Sequence, residues 1–320
     1  MAFLTLRDFK EAETHIAPHI HRTPVFHSET LSRLTGHDVW LKAENLQKTG
    51  SYKVRGPLNV LAGMPKEERE RGLICASAGN HAQGVARAAR QYGVPAVVVM
   101  SRAVKPAKLD ATRGYGAEVI IHGEVWDDAY AHSLEIAKER SLTYVHPFDD
   151  PRLIAGQGGV GMEFIEDVPD LDAVLVPIGG GGLISGCAMA IKAINPKVRI
   201  IGVEAAGAPG MKKSVEAGQV VTLDTVGPMV DGLVVRRVGE YTRKVVEAFV
   251  DDILLVEEKT IFDTVPWVME RLKLVVEGAA AAPIAALRAG LPSLPGGSKV
   301  GCVLSGGNLD VSQLTGLSWN

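Results

Sequence analysis

Lys53 is the residue of this sequence whose surroundings most favour covalent chemistry. It follows Thr49-Gly50-Ser51, a segment able to cap a helix that starts near Lys53. The positive end of a helix disfavours an ammonium group and lowers the pKa of a lysine. A neutral amine is the form that attacks a carbonyl group to give an imine. An isolated lysine is nearly always a solvated surface group, so other segments must decide between these interpretations.

Four consecutive glycines, Gly179, Gly180, Gly181 and Gly182, stand between an apolar strand and an apolar helix in LVPIGGGGLISG. Without side chains, their backbone N–H groups can converge on an anion, and the following helix adds its positive end. A flexible linker is the alternative, but linkers are rarely bracketed so tightly. No Gly-Lys-Ser/Thr follows, so the loop is not a nucleoside-triphosphate motif. The segment predicts a phosphate site.

A second glycine-bearing loop is ICASAGNHAQGVA, in which Ser77, Ala78, Gly79, Asn80 and His81 join a short strand to an Ala-rich helix. Either Ser77 or Asn80 is suited to cap the helix. Free N–H groups at such a start suit a carboxylate, and the Asn80 amide offers both a donor and an acceptor. An ordinary capped helix start is the alternative, and His81 alone is more often structural than catalytic.

Two further glycine-containing segments resemble motifs that their context does not support. Ser305 leaves a strand in VGCVLSGGNLD, but no glycine precedes it by two residues as in a nucleophile elbow, so we expect a hydrogen-bond partner. Residues 156–161, GQGGVG, match G-x-G-x-x-G letter for letter. No strand precedes them and no ribose-binding acid follows at the expected distance, so dinucleotide binding is not expected.

Apolar strand patterns alternate with helical patterns from about residue 70 onward. The predicted strands are Leu73–Cys75, Ala96–Met100, Glu118–Ile121, Ala173–Val176, Arg199–Glu204, Ile253–Val256 and Lys299–Leu304. The predicted helices are His81–Tyr92, Asp127–Arg140, Leu183–Ile194, Thr260–Leu272 and Ala279–Ala289. This alternation is typical of an α/β fold with parallel sheets covered on both faces. Such folds bind ligands at strand-to-helix loops, where the segments above lie.

Taken together, the segments SYKVRG, SAGNH, GGGGL and SGGN resemble, in this order, the fold type II pyridoxal-phosphate enzymes. Within that group they are similar to the serine/threonine dehydratase and serine racemase branch, over essentially the whole chain. The resemblance implies a two-domain, three-layer αβα, tryptophan synthase β-like architecture. Residues 1–69 and 147–320 would form the large cofactor-binding domain, with a small αβα domain at 70–146 inserted between them.

The resemblance also implies roles for individual residues and an activity. Lys53 would carry pyridoxal 5'-phosphate as a Schiff base, with Tyr52 in place of the family's usual ring-packing Phe. The implied contacts are Gly179, Gly180, Gly181, Gly182 and Leu183 for the phosphate, Asn80 for the phenolic oxygen, Ser305 for the pyridine nitrogen, and Ser77, Ala78, Gly79, Asn80 and His81 for the substrate. The implied reaction is β-elimination of water from L-threonine or L-serine, giving a 2-oxo acid and ammonia.

Two departures from the family pattern separate its branches. Racemases resemble Ser-Ser-Gly-Asn-His, in which the second serine is the base on the opposite face; Ala78 occupies that position here and cannot carry a proton. Metal-dependent members use a Glu, a backbone carbonyl and an Asp. Glu204 and Ala208 align with the first two, but Gly210 takes the place of the Asp, so we expect no metal.

Substrate choice and reaction outcome stay open. Arg236 and Arg237 follow a loop that approaches the site in relatives, and a cation there would suit 3-hydroxyaspartate as an alternative substrate. Serine racemisation is a less favoured alternative because of Ala78. A non-catalytic sensor that kept the fold is weakened by the presence of Lys53, Asn80 and Ser305.

Composition limits the partners and the compartment. The net charge is −3, so no basic surface for nucleic acid is indicated, and we expect no membrane partner. Residues 173–191 carry no charge, but Pro177 and the four glycines favour a strand, a loop and a helix over a membrane span. Three scattered cysteines and an N-terminus without an apolar signal core predict a cytoplasmic enzyme. The resemblance implies a homodimer.

Overall fold

The computed structural model describes residues 2–227, 230, 232–291 and 293–314, and these form ten strands and thirteen α-helices. The strands are β1 (Val25–His27), β2 (Asp38–Ala43), β3 (Leu73–Ala76), β4 (Ala96–Met100), β5 (Glu118–Ile121), β6 (Thr143–Tyr144), β7 (Ala173–Pro177), β8 (Arg199–Ala205), β9 (Asp252–Val256) and β10 (Lys299–Leu304). The helices are α1 (Leu6–Ile16), α2 (Glu29–Thr35), α3 (Arg55–Ala62), α4 (Lys66–Arg71), α5 (Asn80–Tyr92), α6 (Pro106–Gly114), α7 (Trp126–Glu139), α8 (Pro151–Asp167), α9 (Gly182–Ile194), α10 (Gly210–Glu216), α11 (Glu240–Phe249), α12 (Glu258–Leu272) and α13 (Gly278–Ala289).

The strands form two separate sheets. The larger has the order β1-β2-β10-β7-β8-β9 and is parallel except for the antiparallel edge strand β1. The smaller has the order β5-β4-β3-β6 and is parallel throughout. All strands of the smaller sheet lie within residues 73–144, inside the range predicted for the small domain. The division into two domains stays a prediction.

Helices cover both faces of each sheet, as parallel sheets require. In β7, Ala173 and Leu175 pack in a core with α12 and α13, whereas Val174 and Val176 pack on the opposite face with α8 and α9. The small sheet alternates in the same way, with α5 on one face and α7 on the other. The predicted α/β fold with helices on both faces is confirmed.

The GQGGVG segment lies inside helix α8, so its glycines serve packing and not dinucleotide binding. Asp150 caps the helix start by accepting from the Arg152 N–H at 2.8 Å, and Pro151 occupies the first turn. A β-carbon at Gly161 would lie 2.9 Å from the Cys187 Cα, and one at Gly156 would lie 2.6 Å from the Arg55 carbonyl oxygen. The missing side chains let α8 approach its neighbours α9 and α3 closely.

A buried ionic network joins the elements that precede and follow Lys53. The Arg55 guanidinium bonds to Glu44 at 2.8 Å and to Glu163 at 2.7 Å, and Lys42 bonds to Glu163 at 2.6 Å. Arg55, Glu44 and Lys42 are fully buried. A buried charge is tolerated only when it is paired, so this network fixes α3 against β2 and α8. Among the described residues no helix is long and apolar enough to cross a membrane.

Candidate active site

Lys53 lies where three chain segments meet. Its Nζ donates to the Pro147 carbonyl oxygen at 2.8 Å and lies 5.3 Å from the centre of the Tyr52 ring. Helix α5 approaches its backbone so closely that a β-carbon at Gly84 would lie 2.5 Å from the Lys53 carbonyl oxygen. The close packing of α5 against the Lys53 backbone therefore fixes the position from which its amine extends.

Burial lowers the pKa of Lys53 to about 8, although the Glu277 carboxylate acts in the opposite direction. The low pKa was predicted from a nearby helix start, and burial is a cause that the prediction did not include. A short 3₁₀ turn covers Tyr52–Val54 and α3 begins only at Arg55, and the Ser51 side chain forms no cap. Loss of hydration is the largest cause that favours the neutral amine.

The tetraglycine loop joins β7 to the N-terminus of α9, as predicted. Gly181 has a φ of 96°, which favours glycine, and Gly182 and Leu183 begin the helix. A β-carbon at Gly180 would overlap the Phe148 ring, and one at Gly182 would lie 2.8 Å from the Gln157 side-chain oxygen. The first N–H groups of a helix have no intrahelical partner, so the loop presents donors to an anion.

The glycine loop lies close to Lys53 through the segment Pro147-Phe148. Pro147 accepts the Lys53 hydrogen bond, and the next residue, Phe148, packs against Gly180 and Gly182. The structure thus brings together the lysine and the glycine loop, which lie more than 120 positions apart in the sequence.

Helix α5 starts at Asn80, and the residue that caps it is Gly79, which corrects the expectation of a Ser77 or Asn80 cap. The Ser77 Oγ instead accepts from the Gly79 N–H at 3.2 Å. Ser77, Ala78, Gly79 and Asn80 are all half-buried, so this helix start faces an accessible space. A helix start of this kind can bind a carboxylate.

The His81 side chain is directed away from this chemistry. It is buried, and its Nε2 lies 2.9 Å from the Val145 carbonyl oxygen. Burial lowers the pKa of His81 to about 3, helped by the charge of Lys53. The ring is therefore neutral at physiological pH and anchors α5 to residue 145. Burial likewise lowers the pKa of the half-buried His146, which leaves Lys53 among neutral imidazoles.

Ser305 is buried at the end of β10, beside the Lys53 segment. Its carbonyl oxygen accepts from the Tyr52 N–H at 3.1 Å, and the next residue, Gly306, pairs with Ser51. The strand end that carries Ser305 and the turn that carries Lys53 thus form one hydrogen-bonded unit. The family resemblance predicts that Lys53 and Ser305 lie at one site, and the structure brings these two residues together.

Glu277 is a site residue that sequence reasoning missed. It is buried, precedes α13, and accepts from the Asn80 Nδ2 at 2.6 Å. Asn308 holds the other end of the same amide, donating from its Nδ2 to the Asn80 Oδ1 at 2.8 Å. In the sequence, VVEGAAAAP is typical of an ordinary acidic helix start. Only the hydrogen bond to Asn80, 197 positions away, shows that Glu277 lies at this site.

The two arginines considered for binding a second substrate carboxylate bond to other groups. Arg236 bonds to the Leu223 carbonyl oxygen and to Asp127, and Arg237 bonds to Thr222 and Glu240, all within exposed or half-buried surroundings.

Glu204 accepts from the Met211 and Lys212 N–H groups at 2.8 and 2.9 Å, so both of its oxygens hold the start of α10. Burial raises the pKa of Glu204 to about 7, although these backbone donors oppose the change. No group of three or more His, Cys, Asp or Glu side chains suited to a metal ion occurs among the described residues.

Comparison with known proteins gives the site a context. A family described as pyridoxal-phosphate dependent enzymes matches residues 16–306. An L-threonine ammonia-lyase of Thermotoga maritima is 45% identical over 97% of this chain and 77% of its own. The catabolic L-threonine dehydratase TdcB of Escherichia coli K12 is 41% identical over 98% of this chain and 96% of its own.

Solved structures are similar over nearly the whole fold. Maize serine racemase has a TM-score of 0.94 at 35% identity and covers 98% of this chain and 96% of its own. The processed form of threonine deaminase isoform 2 from Solanum lycopersicum has a TM-score of 0.92 at 35% identity and covers 98% of this chain and 94% of its own. These likenesses confirm the predicted architecture.

Proposed function

Since the chain belongs to the family of pyridoxal-phosphate dependent enzymes, we propose that it eliminates water from a small hydroxy amino acid, L-threonine or L-serine. The products are a 2-oxo acid and ammonia. The observation that carries this proposal is the meeting of a low-pKa amine at Lys53 with an anion-binding glycine loop and a helix start suited to a carboxylate.

The residues at the site fit pyridoxal phosphate. The glycine cradle has no room for side chains, and its helix N-terminus supplies N–H donors for a phosphate. In this assignment Gly179, Gly180, Gly181, Gly182 and Leu183 bind the phosphate, Asn80 binds the ring oxygen, Ser305 faces the ring nitrogen, and Tyr52 packs beside the ring. Bound pyridoxal phosphate supplies an electron sink for charge that develops at the substrate α-carbon.

Lys53 Nζ is the group that we assign to proton transfer at the α-carbon. Burial lowers its pKa to about 8, so about a tenth of the amine is neutral at pH 7 and can accept a proton, against well under a hundredth for an ordinary lysine. The Ala78 methyl group offers no proton carrier at the start of α5. A site with a single base favours elimination over racemisation, which needs a proton donor on the opposite face.

The substrate carboxylate is assigned to the half-buried helix start at residues 77–81. No extra cation is needed for threonine or serine, and the surface partners of Arg236 and Arg237 favour such neutral side chains over 3-hydroxyaspartate. Hydroxyaspartate remains the second candidate, since an arginine that leaves Asp127 would supply the charge that a second carboxylate requires.

The proposal also covers the domain division, the oligomeric state and the compartment of the enzyme. We assign residues 1–69 and 147–320 to a large domain and 70–146 to a small one, with the cofactor between them. The small sheet and its two helical layers support this division. A homodimer in the cytoplasm is proposed as well, and the three buried free cysteines are compatible with a reducing compartment.

Covalent attachment at Lys53 is tested with the purified holoprotein. The assignment is supported if the protein is yellow, if borohydride bleaches it, and if the reduced cofactor is then found as a covalent label on the peptide that contains Lys53. Lys53→Ala should carry no covalently attached cofactor after reduction, whereas Lys48→Ala, a control for a half-buried lysine five positions away, should be labelled like the parent. Labelling of another lysine would contradict it.

Substrate class is tested by ammonia release from L-threonine, L-serine and both diastereomers of 3-hydroxyaspartate. We expect kcat/KM to be highest for threonine or serine. Equal or greater activity on hydroxyaspartate would overturn the substrate assignment and leave the elimination chemistry in place.

A further inference from the structure

Glu277 lies beside two of the residues assigned to the cofactor ring. Its Oε1 is 2.6 Å from the Asn80 Nδ2, and its backbone N–H donates to the Gly306 carbonyl oxygen at 3.0 Å. A β-carbon at Gly306 would overlap the Glu277 carboxylate, so glycine at that position leaves room for it. The carboxylate therefore lies between Asn80 and the strand end that carries Ser305.

We propose that Glu277 is a positioning residue, which fixes the Asn80 amide so that its second N–H hydrogen is directed at the ring oxygen of pyridoxal phosphate. The inference rests on the proposed function, because it assigns Asn80 to that ring oxygen.

An asparagine amide has two ends that differ in chemistry but hardly in shape, so its orientation must come from its partners. An ionised carboxylate only accepts hydrogen bonds, so Glu277 selects the NH₂ end of Asn80. The Asn308 Nδ2 only donates, so it selects the carbonyl end at 2.8 Å. The two partners together leave one orientation of Asn80, with one N–H hydrogen not used by Glu277.

The same contacts connect Asn80 to a strained backbone position. The Asn308 Nδ2 also donates to the Thr49 carbonyl oxygen at 2.7 Å, and Thr49 has a φ of 66°, a left-handed conformation that is uncommon for a β-branched residue. The network thus runs from Glu277 through Asn80 and Asn308 to the loop before Lys53. Strain of this kind persists where surrounding contacts hold it, often at functional sites.

Capping of α13 does not account for the Glu277 side chain. The residue precedes α13 at the N-cap position, but its side chain makes no capping hydrogen bond. It is buried close enough to Lys53 and Tyr52 for its charge to raise the pKa of both side chains. A buried carboxylate is costly, and an acid retained inside a cleft beside an ionisable amine is typical of a functional site.

The experiment separates the hydrogen bond from the charge. Glu277→Ala removes both, whereas Glu277→Gln retains an acceptor oxygen without the charge. Each variant is titrated with pyridoxal phosphate and with an analogue that lacks the ring hydroxyl group, and binding is followed by absorbance. Circular dichroism and thermal melting check folding, and Glu257→Gln, which removes an exposed acid before α12, is the control for net charge.

We expect Glu277→Ala to bind pyridoxal phosphate about ten-fold or more weakly, the effect of one hydrogen bond to a charged group, and to bind the analogue as the parent does. Glu277→Gln should restore most of the affinity. Its visible absorption should titrate about one pH unit lower, because a neighbouring negative charge no longer favours the protonated form of the lysine nitrogen.

Equal weakening toward both ligands, or no weakening, would overturn the inference and show that Glu277 supports the fold or has no role. A parent protein that binds neither ligand would instead refute the proposed function itself, and with it the inference. The two failures are distinguished by the parent titration alone.

Discussion

At the level of single residues, the ionisation of Lys53 decides whether the site can form a covalent bond. Burial holds the pKa of its amine at about 8, against an ordinary value of 10.5. The charge that most directly opposes this change is that of Glu277, and the neighbouring histidines are neutral. The amine can therefore react near neutral pH without help from a metal or from a second lysine.

This ionisation predicts the pH dependence of cofactor uptake. Because only the neutral amine reacts, the rate at which the apoprotein takes up pyridoxal phosphate should rise about ten-fold per pH unit below pH 8 and level off above it. Stopped-flow absorbance of apoprotein mixed with cofactor measures the rate. A plateau that begins only near pH 10 would contradict a buried, low-pKa lysine.

Ala78 predicts a gain of activity on substitution. Ala78→Ser places a hydroxyl group at the start of α5, where it can carry a proton to the face opposite Lys53. We expect D-serine formation from L-serine to increase at least ten-fold relative to ammonia release, as measured by chiral chromatography. Ala78→Gly changes the size of the side chain without adding a proton carrier and should not racemise. Equal racemisation by both variants would exclude the serine hydroxyl as the cause.

Most residues of the proposed site could be singled out in the sequence because their local patterns are distinctive. A tetraglycine between a strand and a helix, and SAGNH before an Ala-rich segment, each carry a physical signature in a few residues. Glu277 has no such signature, since its partner Asn80 is 197 positions away. Sequence reasoning also missed burial as the largest cause of the low Lys53 pKa, because the extent of burial cannot be read from neighbouring residues.

At the level of elements, the packing of α8 against α9 supports the proposed phosphate site. Helix α9 carries Gly182 and Leu183 at its start, and α8 supports it along a seam of glycines. The GQGGVG glycines are plain in the sequence, but a dinucleotide-binding loop and a closely packed helix can have the same glycine pattern. The boundaries of α9 and β7 were predicted within one residue because apolar runs and glycines mark both ends.

A single methyl group in this seam should weaken both the fold and cofactor binding. In Gly161→Ala the new β-carbon would lie 2.9 Å from the Cys187 Cα and 3.0 Å from its carbonyl oxygen, backbone atoms that cannot rotate away. We expect a loss of about 1–3 kcal/mol in the free energy of unfolding, measured with urea, and a higher Kd for pyridoxal phosphate.

The matched control is Gly114→Ala, in helix α6. This glycine is also helical, and nothing lies within 4 Å of its would-be β-carbon. It should be neutral or stabilise the protein by up to about 1 kcal/mol. Equal losses in both variants would show that helix packing at α8 and α9 is not the cause.

At the scale of the whole molecule, the residues proposed to bind the cofactor come from both sheets, each of which has its own covering helices. Residues assigned to the cofactor come from the large sheet at Gly179–Gly182 and Ser305, and from the small sheet's helix α5 at Asn80. The exposed ion pairs Arg236–Asp127 and Lys105–Asp310 also join the two parts. Exposed pairs contribute little free energy, about 0–1 kcal/mol each, so a shared ligand is the stronger connection.

Removal of pyridoxal phosphate should therefore uncouple the two parts as well as lower the overall stability. Partly exposed edge strands, β5 and β6, make up half of the four-stranded small sheet, whereas the partly exposed edge strands β1 and β9 make up only a third of the six-stranded large sheet. In the apoprotein we expect residues 73–144 to open first, since regions with fewer buried contacts have the lower opening free energy.

Hydrogen exchange should show faster exchange in residues 73–144, and calorimetry should resolve two transitions. Saturating cofactor should merge them and raise the lower midpoint most, because a ligand stabilises only the state that binds it. A single apoprotein transition with uniform exchange would mean that the two sheets unfold as one unit.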